Sequence, residues 1–279
     1  MMQVIYFMSY IWKVKDMKPD YKNWVPKGMI YGCAAGTGVL GILFVAASII
    51  GRIIPKPVRI IIKAVLGLGT VGCGAMTLWS ILAYRQFSYN GKRKMSKQII
   101  DGTAGYVDIP DGGVGLDVGC GSGALTIACA KRNPKAKMVG VDRWGKEYAS
   151  FSQKLCENNS LAEGVNNTSF EKGDAIHLDF ADETFDAVTS NYVYHNIAGC
   201  DKQKLLEETL RVLKKGGTFA IHDIMSKSRY GDMQEFVSRL KAQGYEEVKL
   251  IPTDNGKFMS KGEAGWMGLT GSTLLVGKK

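Results

Sequence analysis

Two long runs without a charged residue constrain this chain more than any other feature. Residues 28–50, GMIYGCAAGTGVLGILFVAASII, and residues 64–84, AVLGLGTVGCGAMTLWSILAY, exclude Asp, Glu, Lys and Arg throughout. At about 1.5 Å per residue, either run as a helix reaches about 30 Å, the thickness of a bilayer's hydrocarbon. The connector GRIIPKPVR leaves room only for a tight reversal. The pair therefore predicts a transmembrane helical hairpin over residues 28–84, with helices at 28–50 and 60–84. Gly28, Gly32 and Gly36 recur every fourth position, and Gly67, Gly69, Gly72 and Gly74 thin the second run. Small residues let backbones approach closely in hydrocarbon, so these faces predict helix packing and offer a surface for a homo-oligomer.

Charge supports the same division. The chain of 279 residues carries a formal +10, yet residues 1–107 hold fourteen Lys/Arg against Asp16, Asp20 and Asp101, while the remainder is close to neutral. A near-neutral globular part gives no electrostatic footprint for a phosphate backbone, so no nucleic-acid partner is expected. Basic residues beside apolar runs instead match an anionic lipid surface. A hairpin leaves both chain ends on one side. That side holds Lys13 to Lys27 and Arg85 to Lys97, against Arg52, Lys56 and Arg59 in the connector. The asymmetry predicts an integral membrane protein with its globular part facing the cytoplasm. Residues 1–27, which open on MMQVIYFMSYIW, read as an interfacial segment, and residues 85–107 as a basic linker and candidate lid.

From residue 108 to 279 short apolar runs alternate with mixed-charge helical stretches, the pattern of an α/β domain. Seven strands are expected near 114–118, 138–141, 168–171, 185–190, 218–222, 247–251 and 272–276. Helices are expected near 123–131, 146–158, 202–213 and 232–243. The fold class is thus a Rossmann-like seven-stranded sheet with helices on both faces, preceded by the membrane hairpin. Ligands of such sheets lie in the crevice beyond the carboxyl ends of the strands.

The candidate site falls on those ends. Gly119, Cys120, Gly121 and Gly123 in GLDVGCGSG follow an apolar strand and precede a helix, which lets backbone approach a ligand closely. With Ala124 the same residues satisfy G-x-G-x-x-A, so a dinucleotide-dependent oxidoreductase is one reading. Asp117 before the loop argues against a pyrophosphate, because a carboxylate repels it but favours a cationic ligand. Asp142 in VGVDRW can accept both hydroxyls of a ribose. In KGDA, Asp174 can take an adenine amino proton while the Ala175 amide meets a ring nitrogen. Arg143 and Trp144 can cover the adenine face, with core packing the alternative for Trp144. The six cysteines and three histidines are too scattered for a metal site, and none is expected.

These residues resemble the class I S-adenosylmethionine-dependent methyltransferases, and most nearly the branch with the ubiquinone and menaquinone biosynthesis methyltransferases. The resemblance runs from about Gly115 to Gly217 and rests on LDVGCGSG, GVDRW, GDA, FDAVTSNYVYHNI and EETLRVLKKGGTFAIHD in order. It implies S-adenosyl-L-methionine as cofactor, held by Asp117, the glycine loop, Asp142 to Trp144, Asp174 and Ala175. It also implies that the NYVYHN turn lies beside the transferred methyl group. On that turn His195 is either a base or a hydrogen-bonded wall of the cofactor pocket. Tyr192 and Tyr194 either cradle an amine or simply pack, and Asn191 either contacts the cofactor or forms the turn. His222 and Asp223 reach the same edge. Lys215 stands where the family often has Pro, which affects a surface turn. The hairpin is no part of the common family core, so the family's substrates do not come with it. The combined expectation is a membrane-anchored methyltransferase for a lipophilic or lipid acceptor. The alternatives are a dinucleotide-dependent oxidoreductase and a non-catalytic, cofactor-binding membrane scaffold.

Overall fold

The computed structural model describes residues 17–50, 53–145 and 149–279. They form two compact units, residues 23–96 and residues 17–22 together with 97–279.

The first unit is the hairpin. Helix α1 spans Lys27–Ile50 and α2 spans Lys56–Phe87, the latter starting four residues earlier than expected because Pro55 and Pro57 suit the first turn of a helix. Both are long and apolar enough to cross a membrane, with mean hydropathy 2.2 and 1.7, and the most apolar stretch of each is unburied. The contacts descend α2 as they climb α1: Gly36 meets Cys73, Leu40 meets Gly69, and Phe44 meets Gly67. A Cβ on Gly69 would lie 3.1 Å from Leu40 and one on Gly36 3.3 Å from Cys73, so glycine sets the spacing there. At Gly28, Gly32 and Gly72, expected in the packed faces, an added Cβ would meet open space among the described residues.

The second unit holds a seven-stranded sheet in the order β3-β2-β1-β4-β5-β7-β6. Its strands are β1 (Val114–Val118), β2 (Lys137–Asp142), β3 (Thr168–Lys172), β4 (Phe185–Asn191), β5 (Leu213–Ile224), β6 (Glu246–Pro252) and β7 (Ser272–Lys278). Only β7 runs antiparallel to its neighbours β5 and β6. Helices α3 (Met95–Ala104), α4 (Ala124–Arg132), α5 (Gln153–Ala162), α6 (Lys202–Arg211), α7 (Lys227–Tyr230), α8 (Met233–Ala242) and α9 (Lys261–Met267) complete the chain. The central strands are buried on both faces: β1 is covered from Gly115 to Val118 and β4 from Ala187 to Ser190, as parallel strands sandwiched by helices must be. Leu205, Leu206 and Leu210 of α6 lock one layer onto Val188, Phe219 and Ile221. Asp201 and Asp232 accept from the backbone amides that open α6 and α8.

Several expectations change. The helix expected at 146–158 begins at Gln153, because Ser152 accepts from the Leu155 amide and caps it there; residues 146–148 lie outside the described residues. The KKGG turn is part of β5, which bulges against β4 between Phe185 and Ala187 while Gly216 takes φ +80°. Helices α7 and α9 were not foreseen, being too short to carry a periodic pattern. Residues 17–22 also differ from a free interfacial segment. The Asp20 amide donates to Asn159 Oδ1 at 2.7 Å, and the nearly buried Tyr21 donates to Glu163 at 3.0 Å. Residues 1–16, the rest of that expected segment, lie outside the described residues.

Close packing beneath the crevice gives a stability test. A Cβ on Gly140 of β2 would come within 2.8 Å of both Phe170 and Thr126. Gly140→Val is expected to cost about 1–3 kcal/mol, read as a lowered midpoint in thermal unfolding of the detergent-solubilised chain.

Candidate functional site

Strands β1, β2, β3, β4 and β5 end at one edge, and the candidate residues collect there. Leaving β1, the chain turns through Gly119, Gly121 and Gly123 at φ +74°, +56° and +80°, the left-handed region that glycine tolerates best. At Gly119 an added Cβ would sit 2.4 Å from Val193, so the β4 turn lies directly on the loop. At Gly121 the nearest side-chain atom would be 3.9 Å away. One glycine is closed over by protein and the other is left open for a ligand to approach. Cys120 is buried, and burial together with the neighbouring Cys156 thiol pushes its own thiol well above the usual range, so it stays neutral.

Asp117 lies deeper than a ligand contact. It is 1% exposed, and its carboxylate accepts from Thr126 Oγ1 at 2.6 Å and Thr189 Oγ1 at 3.0 Å. Burial pushes its pKa up to about 6, the threonine hydrogen bonds opposing the rise. The carboxylate therefore ties β1 to α4 and β4 behind the loop, where the sequence suggested a partner for an ammonium. Thr126 and Thr189 were not foreseen; a threonine within an apolar run gives no sign of which long-range neighbour it meets.

Asp142 faces the loop. Its Oδ2 accepts from the Gly121 amide at 2.9 Å and its Oδ1 from the Trp144 amide at 2.7 Å, while Trp144 Nε1 donates to the Gly121 carbonyl at 3.0 Å. Each oxygen keeps a lone pair, so the carboxylate can still accept two hydroxyls. Trp144, at φ +42° and half-buried, is thereby pinned against the loop, and Arg143 beside it is exposed. Asp174 Oδ1 accepts from the Ile176 amide at 3.0 Å, leaving Oδ2 without a hydrogen-bond partner among the described residues. Ala175 packs on the central core.

On the β4 side, Asn191 Oδ1 is 2.9 Å from His222 Nδ1, and His222 Nε2 is 2.7 Å from Thr253 Oγ1. Burial lowers the His222 pKa to about 3, so this ring is a neutral, fully engaged wall. Tyr192 bonds Ser272 Oγ at 2.7 Å with its ring edge-on to His195 and His222, and burial raises its phenol. Its hydroxyl is thus engaged with the first residue of β7. Tyr194 is fully buried and bonds Thr209 at 2.5 Å. His195 differs: its Nδ1 lies 2.5 Å from Asp223 Oδ1, and its side chain remains 16% exposed. Burial alone would raise the Asp223 carboxyl, but His195 and the Ile224 amide hold it below the usual range.

The donor set fits an adenosyl sulfonium. Glycine backbone left open at Gly121 and the carboxylates of Asp142 and Asp174, which among the described residues accept from backbone amides and keep spare lone pairs, suit a nucleoside bearing a positive centre. A pyrophosphate would meet repulsion here. The topology agrees: the dinucleotide fold continues in parallel order 3-2-1-4-5-6, whereas here β7 is inserted antiparallel between β5 and β6.

Comparisons with known proteins agree with this geometry. The model of a family described as "Methyltransferase domain" matches residues 109–263, more than half of the chain. A demethylmenaquinone methyltransferase of Lactobacillus johnsonii is 33% identical over 111 residues, covering 39% of this chain and 43% of that protein. One of Bacillus licheniformis is 31% identical over 142 residues, covering 50% and 57%. The chain spans about half the length of the curated relatives it matches. Among solved structures, geranyl diphosphate C-methyltransferase from Streptomyces coelicolor, in complex with S-adenosyl-L-homocysteine, superposes with TM-score 0.52 at 12% identity over 70% of this chain and 83% of that one. That likeness concerns the fold.

Asp117 gives a pH test. A carboxyl whose folded pKa of about 6 exceeds its ordinary 3.8 binds its proton more tightly when folded. Its contribution is therefore present below about pH 4 and lost as pH rises through about 6. Between those limits the stability of the wild type relative to Asp117→Asn is expected to fall, by about 3 kcal/mol at most. Denaturant titrations of both proteins across that range check the sign.

Proposed function

Because the chain belongs to the methyltransferase-domain family, we propose that it is a membrane-anchored S-adenosylmethionine-dependent methyltransferase acting on a lipophilic or membrane-associated small molecule. The observation that carries the reading is the open backbone at Gly121 flanked by Asp142, in a chain that also holds two unburied apolar helices. In this reading Asp142 accepts the ribose hydroxyls, Asp174 Oδ2 and the Ala175 amide meet the adenine, and Trp144 covers one side. Gly119, Cys120, Gly121 and Gly123 provide close backbone approach. The Asn191 amide, with its oxygen taken by His222, offers its NH2 group to the methionine part. The cofactor, when bound, supplies a methyl group on a positively charged sulfur. The chain's own residues then orient the acceptor against it and exclude water, since the methyl donor is already activated.

The hairpin supplies location. Outward-facing Ile42, Leu68 and Val71 are about 70% exposed, an arrangement that water penalises and hydrocarbon does not. The basic residues Lys18, Lys22 and Lys27 and those of the Arg85–Lys97 segment support an orientation with both ends on the cytoplasmic side. Anchoring then confines the enzyme to the surface where lipophilic acceptors dissolve.

Full-length protein in lipid nanodiscs tests the proposal. Calorimetric titration is expected to detect S-adenosylmethionine, with Asp142→Ala weakening it about tenfold or more, since hydrogen bonds to a charged group are lost. Labelled methyl is expected in the organic phase when membrane extracts are offered. NAD(H) binding without S-adenosylmethionine binding overturns the enzyme class, and label confined to water-soluble acceptors overturns the lipophilic one. Alkaline carbonate washing is expected to leave the chain in the membrane pellet.

A further inference from the structure

Helix α5 grips the glycine loop by two successive carbonyls. Cys156 Sγ donates to the Gly121 carbonyl at 3.2 Å, and one turn further along the helix Asn159 Nδ2 donates to the Ser122 carbonyl at 2.9 Å. Asn159 is 2% exposed, and the rest of its amide is bonded to a segment from the start of the chain. Its Oδ1 accepts from the Asp20 amide at 2.7 Å, and Nδ2 donates to the Asp20 carbonyl at 3.1 Å. One side-chain amide thus meets the backbone of residue 20 in both directions and the glycine loop at the same time.

Residues 17–22 are fastened a second time. Buried Tyr21 donates to Glu163 Oε1 at 3.0 Å, and the other oxygen of that carboxylate pairs with Lys131 of α4. The segment therefore bears on α4 and α5 together, the two helices that flank the loop. It lies outside residues 109–263, the span that the family model matches. Only residues 23–26 separate it from Lys27, where α1 begins.

Hydrogen-bond satisfaction makes the segment and the loop interdependent. With residue 20 in place, both hydrogens and the oxygen of the Asn159 amide are engaged. If the segment leaves, a buried donor and a buried acceptor are unmet, a state costly enough to turn the side chain toward other partners. That turn releases the Ser122 carbonyl, next to Gly121 where backbone is open to a ligand. A ligand that needs the loop in this form also needs the segment, and linkage makes the dependence mutual.

We propose that residues 17–22 are a strap that sets the cofactor loop through Asn159, a positioning residue, so that strap docking and S-adenosylmethionine binding strengthen each other. Asn159 acts through Ser122. Residue 20 contributes its backbone, while its side chain pairs with Lys22. The support of the loop is thus continuous in sequence with the first apolar helix.

The inference rests on the methyltransferase reading for the identity of the ligand, and its test separates the two. Hydrogen exchange, read by mass spectrometry on the full-length protein in nanodiscs, gives the first measurement. Saturating S-adenosylmethionine is expected to slow exchange of the peptide covering residues 17–22 about fivefold or more. Asp20→Pro removes the amide that Asn159 accepts. In cofactor-free protein this variant is expected to speed exchange of the loop amides, among them that of Gly123, bonded to the Cys120 carbonyl at 2.8 Å. Its calorimetric affinity for S-adenosylmethionine is expected to fall about tenfold. Transfer of labelled methyl to membrane extract at saturating S-adenosylmethionine is expected to stay within about twofold of wild type, a split that loss of folded protein does not produce. Asn159→Asp, whose carboxylate still accepts from residue 20 but cannot donate to Ser122, is expected to act in the same direction. Because Asn159 is buried, Asp20→Pro keeps the test valid if that variant fails to fold. Equal loop exchange in wild type and Asp20→Pro, an unchanged affinity, or strap exchange indifferent to S-adenosylmethionine overturns the inference. Absent S-adenosylmethionine binding in the wild type overturns the methyltransferase reading instead, and loop exchange in cofactor-free protein still decides the strap.

Discussion

The contact between Val193 and Gly119 is the constraint on which the rest of the candidate site depends. It forces the chain leaving β1 into a left-handed turn that has no room for a side chain on one flank and none to fill the other. The amide of Gly121 is thereby turned toward Asp142, and the carbonyl of Gly121 toward Trp144. Three strand ends are fixed relative to one another by a few short bonds, and behind them Asp117 ties the same strands to α4 through two threonines. A rigid edge of this kind, with its strain and its buried charge concentrated in one place, is what a site must have if positioning is its main contribution.

The hairpin obeys different rules. Within the sheet, burial of apolar side chains drives assembly, and the central strands expose almost nothing. Helices α1 and α2 show the inverse pattern, apolar side chains turned outward and glycines turned toward side chains of the other helix, Gly36 to Cys73, Gly67 to Phe44 and Gly69 to Leu40. Water would disfavour that arrangement, whereas lipid makes it the natural one, because packing of small residues is then the main attraction between helices. A single chain therefore carries two solvent preferences, divided near residue 96.

Much of this was legible in the sequence, for identifiable reasons. The strands β1 to β4 were readable because each is a short apolar run bounded by turn residues, and the hairpin because charge is excluded over more than twenty positions. That Gly119, Gly121, Asp142 and Asp174 stand at strand ends along one sheet edge was readable, because a strand end and a glycine loop are local patterns. What stayed hidden is long-range. Nothing near Asp117 announces Thr189, 72 residues away, nor does His195 announce Asp223 rather than the adjacent His222. The two histidines illustrate the limit: one is sealed between Asn191 and Thr253 while the other pairs with Asp223. Short α7 and α9, and the bulge that draws KKGG into β5, depend on packing that a local reading does not contain.

The placement of carboxylates also bears on turnover. Asp117, Asp142, Asp174 and Asp223 gather at one sheet edge, and among the described residues their hydrogen bonds come from backbone amides, threonines and His195. Such a cluster costs free energy, and Asp142 adds a small part to the rise that burial imposes on the Asp117 carboxyl. A cation entering the crevice relieves that cost, and the relief is larger than it would be in water because the surroundings are less polarisable. Under the methyltransferase reading the sulfur gives up its positive charge in the reaction, so the field that favours the reactant no longer favours the product to the same degree. The same electrostatics that draws the ligand in thus weakens its hold once the methyl group has moved, which links affinity for the reactant to release of the product without requiring any moving part.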